Sequence, residues 1–169
     1  MRKLLALLAL LPALALGQTN DYNVLDRMGQ GVTDGSDAAP GTIGEFISAI
    51  LPVGSAVALT DNVAANIVSI TLTAGDWDVR GVGAFTPAGT TSITHLSSGI
   101  SMTSGALGGF ETQGTYDSAA FVPARNMAIV IALTRVSLTT TTTVYLVSHA
   151  RFTVSTLGGY GFIRARRVR

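Results

Sequence analysis

Two acidic residues with the spacing of a catalytic pair lie near the middle of the chain, in the segment DWDVRGV at residues 76 to 82. Asp76 and Asp78 are two residues apart, so on a β-strand their carboxylates project from the same face. Such a pair can act as general acid and base when burial separates the two pKa values. The segment follows a turn signal, which predicts that both carboxylates are exposed, and Trp77 between them is expected to anchor the core. We therefore predict no catalytic role for this pair.

The other residue types that commonly carry catalysis are sparse. The two histidines, His95 and His149, do not have the H-x-x-x-H or H-E-x-x-H spacing of zinc sites, and we expect both to be solvated or at an interface. The chain has no cysteine, which excludes disulfides and thiolate metal sites. No serine lies in a G-x-S-x-G motif. The sequence predicts no catalytic residue, no metal site, no cofactor and no enzymatic activity.

Two glycine-containing motifs near the N-terminus are incomplete. The segment GQGVTDG at residues 29 to 35 lacks the strand, the helix and the third glycine position of a dinucleotide-binding fingerprint. The segment TDGSD at residues 33 to 37 lacks the spaced oxygen ligands and the closing glutamate of a calcium loop. Both segments are predicted to be flexible turns.

The chain ends in a cluster of arginines, at positions 164, 166, 167 and 169. On a strand, Arg164 and Arg166 share one face, and Arg167 and Arg169 share the other. This division is unfavourable for a nucleic-acid surface, and no aromatic residues are interleaved to stack on bases. We predict a strand rim or a subunit contact, and no nucleic-acid partner.

The first 44 residues differ from the rest of the chain. Residues 1 to 17 combine a basic start with an apolar run, which is typical of a secretory signal peptide; the alternative is an apolar anchor that stays on the chain. The run is too short to cross a bilayer as a helix. Residues 18 to 44 are polar and rich in turn residues, and are predicted to form a linker or extended arm.

Residues 45 to 169 alternate between apolar and polar side chains over short segments that are separated by turn signals such as Leu-Gly-Gly at residues 157 to 159. This pattern predicts an all-β fold, an antiparallel β-sandwich or jelly roll, preceded by the apolar segment and the arm. The segment MAIVIALTRVSL at residues 127 to 138 is expected to form a fully buried strand. The side chains expected to face inward are Val68, Ile70, Leu72, Trp77, Val79, Phe85, Val144, Leu146, Ala150, Phe152 and Val154.

Several motifs in this region resemble a family of small virion proteins of tailed bacteriophages and prophages. They are LTAGDWDV, GISMTS, TTVYLV and the ending IRARRVR, and the resemblance covers roughly residues 45 to 169. It implies a homotrimeric jelly-roll knob that serves as a head fibre, head spike, decoration or tail-fibre module, with a virion-attachment segment ahead of the knob. The resemblance implies a structural protein located in the virion, for which we expect binding to a receptor or glycan of the host surface.

The low charge and high Thr, Ser, Gly and Ala content agree with a chain that buries surface against copies of itself; only 12% of the residues are charged. We expect the arm to contact other virion proteins and the knob to adhere to a host-surface glycan through loops 86 to 92 and 108 to 118. Phe110 and Tyr116 are the candidate sugar-stacking residues. The alternative hypothesis is a secreted or periplasmic, non-catalytic carbohydrate-binding β-sandwich, which the signal-like leader would favour.

Overall fold

A computed structural model describes residues 34 to 169, so the predicted leader at residues 1 to 17 and most of the predicted arm at residues 18 to 44 lie outside the described residues. The described part is built from antiparallel strands joined by turns, and its only helical elements are two single-turn 3-10 segments, Val53–Ser55 and Phe110–Thr112. No helix within residues 34 to 169 has the length and apolar character needed to cross a membrane. The strands are β1 Phe46–Leu51, β2 Val57–Ala58, β3 Ala65–Leu72, β4 Gly75–Pro87, β5 Ser92–Ser101, β6 Gln113–Phe121, β7 Met127–Leu138, β8 Thr142–Thr153 and β9 Leu157–Arg167.

The strands form two packed sheets, as the alternating pattern predicted. One sheet has the order β1-β9-β4-β7, with the short β2 also paired to β9, and the other has the order β3-β8-β5-β6. Each sheet thus combines strands from early and late parts of the chain. Apart from β5 and β6, strands that are hydrogen-bonded to each other are not consecutive in the sequence. Eight long antiparallel strands in this order constitute a jelly roll. The predicted fold class is confirmed.

The core lies between the two inner faces, and its composition follows from the period-two pattern of the strands. In β3, Ile70 and Leu72 point inward, while Ser69 and Thr71 are exposed. In β4, Trp77, Val79 and Phe85 are completely buried, as expected. The side chains of β8 and β9 continue this core through Val144, Leu146, Ala150, Ile163 and Ala165.

Strand β7 was predicted to be fully buried, but one of its faces is exposed. It lies at the edge of its sheet and pairs only with β4. Its side chains alternate, with Ile131 and Val136 in the core and Val130 and Leu133 exposed to solvent. A continuous apolar run does not distinguish a strand covered on both faces from an edge strand that has one apolar outer face. The sequence prediction was wrong for that reason.

Two local expectations at the end of the chain were also wrong. Val154 is exposed, not inward, because β8 ends at Thr153 and the backbone at Val154 turns with a positive φ of 77°. The Leu-Gly-Gly segment at residues 157 to 159 begins β9 and is not a turn. The backbone at Gly159 approaches the opposite sheet closely, since a Cβ there would lie 2.6 Å from Cδ1 of Ile67. Glycine inside a strand commonly marks such a close approach.

Candidate interaction surfaces

The two predicted sugar-stacking residues lie on different elements near one edge of the sandwich. Phe110 belongs to the 3-10 turn Phe110–Thr112, and its side chain is 89% exposed. Tyr116 lies on strand β6, not on a loop, because the second half of the predicted 108 to 118 loop is paired with β5. The Tyr116 ring stands edge-on to Phe121, with 5.9 Å between the ring centroids, and is 42% exposed. Phe110 is therefore free to contact a partner, whereas Tyr116 is partly engaged.

Asp76, predicted to be exposed, is buried in a charged cluster, which corrects the sequence analysis. Its Oδ2 accepts hydrogen bonds from Nη2 of Arg135 at 2.7 Å and from Nε of Arg169 at 2.6 Å, and its Oδ1 accepts one from the Ser137 hydroxyl. The hydrogen bonds from Ser137 and Arg135 hold the pKa of the Asp76 carboxyl well below its usual range. Because its pKa is so low, the Asp76 carboxylate does not exchange protons at neutral pH and cannot act as a general acid or base there. The cluster therefore has a structural role.

Arg164 and Arg166 lie on one face of β9 and Arg167 on the other, as predicted, whereas Arg169 lies beyond the end of the strand at Arg167 and does not share its face. Arg167 is far more buried than a strand rim would be. Its side chain is enclosed beneath the end of the sheet, with Nε donating to Oε2 of Glu45 at 2.9 Å and Nη1 donating to the carbonyl of Ala74 at 2.8 Å. Nη2 donates to the hydroxyl of Thr73. Because all three guanidinium nitrogens are used, Arg167 holds the start of β1 and the turn before β4 together and is not available to a ligand.

Beside this cluster a shallow groove of about 320 Å³ runs between Gly75, Leu138 and Arg169. Asp76, Ser137 and Arg169 line the groove but already bond to one another in the charged cluster. The groove therefore offers a ligand little hydrogen-bonding capacity beyond the exposed hydroxyl of Thr139 and the remaining donors of Arg169.

A second polar cluster, which sequence spacing did not reveal, lies on the outer face of the β3-β8-β5-β6 sheet. Nδ1 of His95 lies 2.7 Å from Oδ1 of Asp117, and the His95 and His149 rings meet edge-on with 5.2 Å between their centroids. Partial burial lowers the pKa of His149, and the neighbouring His95 and Arg151 lower it further. The three residues come from three adjacent strands, and only the cross-strand register brings them together.

This cluster contains the residue types of a Ser-His-Asp set, but only the His–Asp hydrogen bond is present, between His95 and Asp117. Ser97 lies on the same face and opposite His149, but its buried hydroxyl has no hydrogen-bond partner within residues 34 to 169. A hydrolytic triad requires a hydrogen bond between the nucleophile and its base. Nor does any group of three His, Cys, Asp or Glu side chains in the described residues converge as metal ligands.

The strand order defines the class of protein as an eight-stranded jelly-roll domain. No family model matches the sequence, and no curated protein matches it. Two solved structures are similar over most of the chain. One is a structure of infectious bursal disease virus Gx strain, with 8% identity, a TM-score of 0.39 and 82% of this chain covered. The other is the crystal structure of the infectious bursal disease virus VP2 subviral particle, with 11% identity, a TM-score of 0.36 and 73% covered.

This chain spans only about a third of those viral chains, 37% of the first and 30% of the second. At such identities and TM-scores the likeness is too distant to assign a role to this protein.

Proposed function

We propose that this chain is a virion structural protein, a jelly-roll knob of a head spike, head fibre or decoration protein that adheres to the host surface. The observation that carries the proposal is the strand order β1-β9-β4-β7 and β3-β8-β5-β6, the jelly-roll arrangement of viral capsid domains and also of lectin domains, which fits a virion knob that adheres. The resemblance of the motifs LTAGDWDV, GISMTS, TTVYLV and IRARRVR to small phage virion proteins supports the same role. The predicted arm at residues 18 to 44 provides the attachment to other virion proteins.

Adhesion without bond cleavage fits the side chains that the described surface presents. Phe110 offers an exposed ring for stacking on a sugar, and the His95–Asp117 pair offers polar groups for hydroxyls. We propose that the chain is a homotrimer, as the resemblance to phage knobs implies, so that it presents three identical sites. Multivalency then raises overall avidity by ~10²–10⁴ without any new contact. Weak individual sites are therefore sufficient for attachment.

The virion role is tested by purifying particles from the source of this chain on a density gradient and measuring peptides in every fraction by mass spectrometry. The chain should co-sediment with the major capsid protein at a fixed ratio. If it is found instead in the particle-free fluid, with Gln18 as its first residue, the virion role is wrong and the alternative of an exported carbohydrate-binding module is supported.

The adhesive role is tested by incubating the purified full chain with host envelope polysaccharide and following both binding and fragment release. We expect binding without release, and a loss of binding for Phe110→Ala and Tyr116→Ala. The exposed Val122→Ala, in the loop after β6, serves as the control and should bind normally. Oligosaccharide fragments that disappear in Asp117→Asn would show an enzyme and contradict the proposal.

A further inference from the structure

Strand β6, Gln113–Phe121, forms one edge of the β3-β8-β5-β6 sheet and is hydrogen-bonded to β5 on one side only. In an antiparallel ladder, every second residue of such a strand directs its N–H and C=O groups away from the sheet, where they can bind another molecule. The start of the strand approaches β7, at Gly114. Beyond it, Thr115, Tyr116 and Asp117 are exposed in succession. This edge is therefore accessible through both its backbone and its side chains.

An irregularity in β6 brings two aromatic rings of this edge together. Between the pairs Ile93–Phe121 and His95–Asp117 the register shifts, and β6 contains two residues more than β5 does. Tyr116 and Phe121 are five residues apart and would point to opposite faces of a regular strand. Here the two rings meet edge-on. Bulges at sheet edges commonly re-aim a side chain in this way, and the contact with Phe121 holds the Tyr116 ring at the edge of the sheet.

The accessible side chains along this edge combine aromatic rings with hydrogen-bonding groups. Phe110, in the 3-10 turn that leads into β6, is exposed, and Tyr116 is partly exposed. Nδ1 of His95 contacts one carboxylate oxygen of Asp117, whose side chain is 72% exposed, so the second oxygen can accept a hydrogen bond from a ligand. The C–H groups on the face of a sugar ring pack on an aromatic ring, and its hydroxyls donate to carboxylates and backbone carbonyls. The edge thus carries the groups that bind carbohydrate.

The charge of the same segment disfavours acidic ligands. Residues 110 to 121 contain two charged side chains, Glu111 and Asp117, and both are acidic and exposed. Like charges brought together in a complex repel each other, so the carboxylates of an acidic polysaccharide would weaken its binding here. Sugar hydroxyls bring no such repulsion, and a hydrogen bond from a hydroxyl to a carboxylate is favourable.

The length of the edge indicates a polymer. The nine residues of β6 extend over roughly 25 Å at the usual rise of a strand, which is several times the length of one sugar ring. The exposed ring of Phe110 lies ahead of the strand, and the Tyr116 ring lies within it. Two rings that are separated along the edge stack on two different sugars of one chain.

We propose that the exposed edge of β6 binds an extended, uncharged polysaccharide chain that lies along the strand. Phe110 and Tyr116 stack on separate sugars of this chain, and Asp117 and the outward-facing backbone groups of β6 form hydrogen bonds with its hydroxyls. The inference rests on the adhesive function proposed above and specifies its ligand, which is an internal stretch of a neutral polymer and not a terminal or acidic sugar.

Fractions of the host polysaccharide test this ligand class with the purified full chain. The envelope polysaccharide is separated by anion exchange into a neutral and an acidic fraction, and the neutral fraction is partly hydrolysed and separated by size. Binding of the fluorescently labelled fragments is measured by anisotropy. We expect acidic fragments to bind about tenfold more weakly than neutral fragments of the same size, and the affinity of neutral fragments to rise about tenfold from the shortest to the longest.

Two double variants distinguish a local effect of the β6 edge from an effect of net charge. Glu111→Lys with Asp117→Lys should bind the acidic fraction about tenfold more tightly than the wild type does, because the repulsion becomes an attraction. Asp34→Lys with Asp37→Lys is the matched control, since it reverses two exposed acidic residues that lie ahead of β1. The control should keep the wild-type preference for neutral fragments. Circular dichroism shows whether each variant retains the fold.

The outcomes separate this site from the broader proposal of adhesion. An affinity for neutral fragments that rises with their length, together with a reversal at β6 that admits acidic fragments, supports the site. Equal affinities for short and long fragments, or a wild type that prefers the acidic fraction, overturn the neutral polymer as ligand and leave adhesion standing. A reversal at Glu111 and Asp117 that acts no more strongly than the control overturns the β6 edge as the site. A wild type that binds neither fraction overturns adhesion itself.

Discussion

The guanidinium group of Arg167 lies over the indole of Trp77, with its central carbon 4.2 Å from the ring centroid. The two residues are direct partners in the register of β4 and β9, and both are buried. A desolvated cation over a tryptophan face gives an attraction of about 2 kcal/mol. The contact joins the DWDVRGV segment to the C-terminal arginine cluster, and because each side chain covers the other, neither Trp77 nor Arg167 is available to a ligand.

Replacing Trp77 by alanine should lower the free energy of unfolding by about 3–5 kcal/mol, the usual cost of deleting a large buried aromatic. Trp77 is completely buried, and its indole Nε1 donates to the carbonyl of Thr73 at 3.0 Å. Urea denaturation of the full chain measures the change. A loss below about 1 kcal/mol would show that the indole does not anchor the core.

Replacing Arg167 by lysine should destabilise the fold by about 1–3 kcal/mol even though the charge is kept. A lysine ammonium cannot reach Glu45, Ala74 and Thr73 in the geometry of the planar guanidinium, so buried acceptors lose their partners. The neighbouring Arg166→Lys is the control, since Arg166 is exposed and its replacement should change stability by no more than about 0.5 kcal/mol. Equal effects of the two substitutions would contradict the assigned role of Arg167.

The stability of the fold should depend on the charge of Asp76 in the acid range. The folded-state pKa of Asp76 is depressed below the ordinary value of 3.8, so its stabilising effect is fully present above that value. The effect is lost as the pH falls through the lower folded-state pKa. Asp76→Asn should therefore melt at a lower temperature than the wild type at pH 7, and the difference should shrink below pH 3.8.

Thermal melting as a function of pH measures this difference. Asp78→Asn, two residues along the same strand face, is the matched control and should change the melting temperature at pH 7 much less than Asp76→Asn. If the difference in melting temperature between Asp76→Asn and the wild type is the same at pH 7 and below pH 3.8, the charge of Asp76 does not stabilise the fold as proposed.

Replacing Gly161 by alanine should destabilise the fold by about 1–3 kcal/mol, since a new Cβ there overpacks a tight contact. Gly161 has a φ of 146°, and a Cβ at this position would overlap the carbonyl oxygen of Val82 on the paired strand. The control is Gly89→Ala, because nothing lies within 4 Å of a Cβ at Gly89. The control should be neutral or slightly stabilising, and similar melting temperatures for the two variants would argue against the strained position.

The sandwich could be predicted from the sequence because its inward faces follow the period of a strand. Ile70, Leu72, Trp77 and Val79 were placed correctly from alternation alone, since each lies within a regular strand. Alternation fails where the strand ends or reaches the sheet edge. Val154 was predicted to face inward because the periodicity does not show that β8 ends at Thr153. The outer face of β7 was predicted to be buried because the periodicity does not show that β7 lies at the sheet edge.

The polar clusters could not be predicted, because their members are distant in the sequence. Asp76 is joined to Arg135 and Arg169, and His95 to Asp117 and His149, only through the register of adjacent strands. A register is a property of the folded sheet and is not visible in the spacing of residues along one segment. The exposure of Asp76 was mispredicted for this reason.

The most direct test of a virion role is cryo-electron microscopy of particles purified from the source of this chain. The proposal predicts a surface-attached density into which the eight-stranded sandwich of residues 46 to 167 fits in groups of three around a three-fold axis. Antibody fragments raised against the purified chain should bind to that density. Particles whose surface shows no such density and binds no fragment would contradict the proposal.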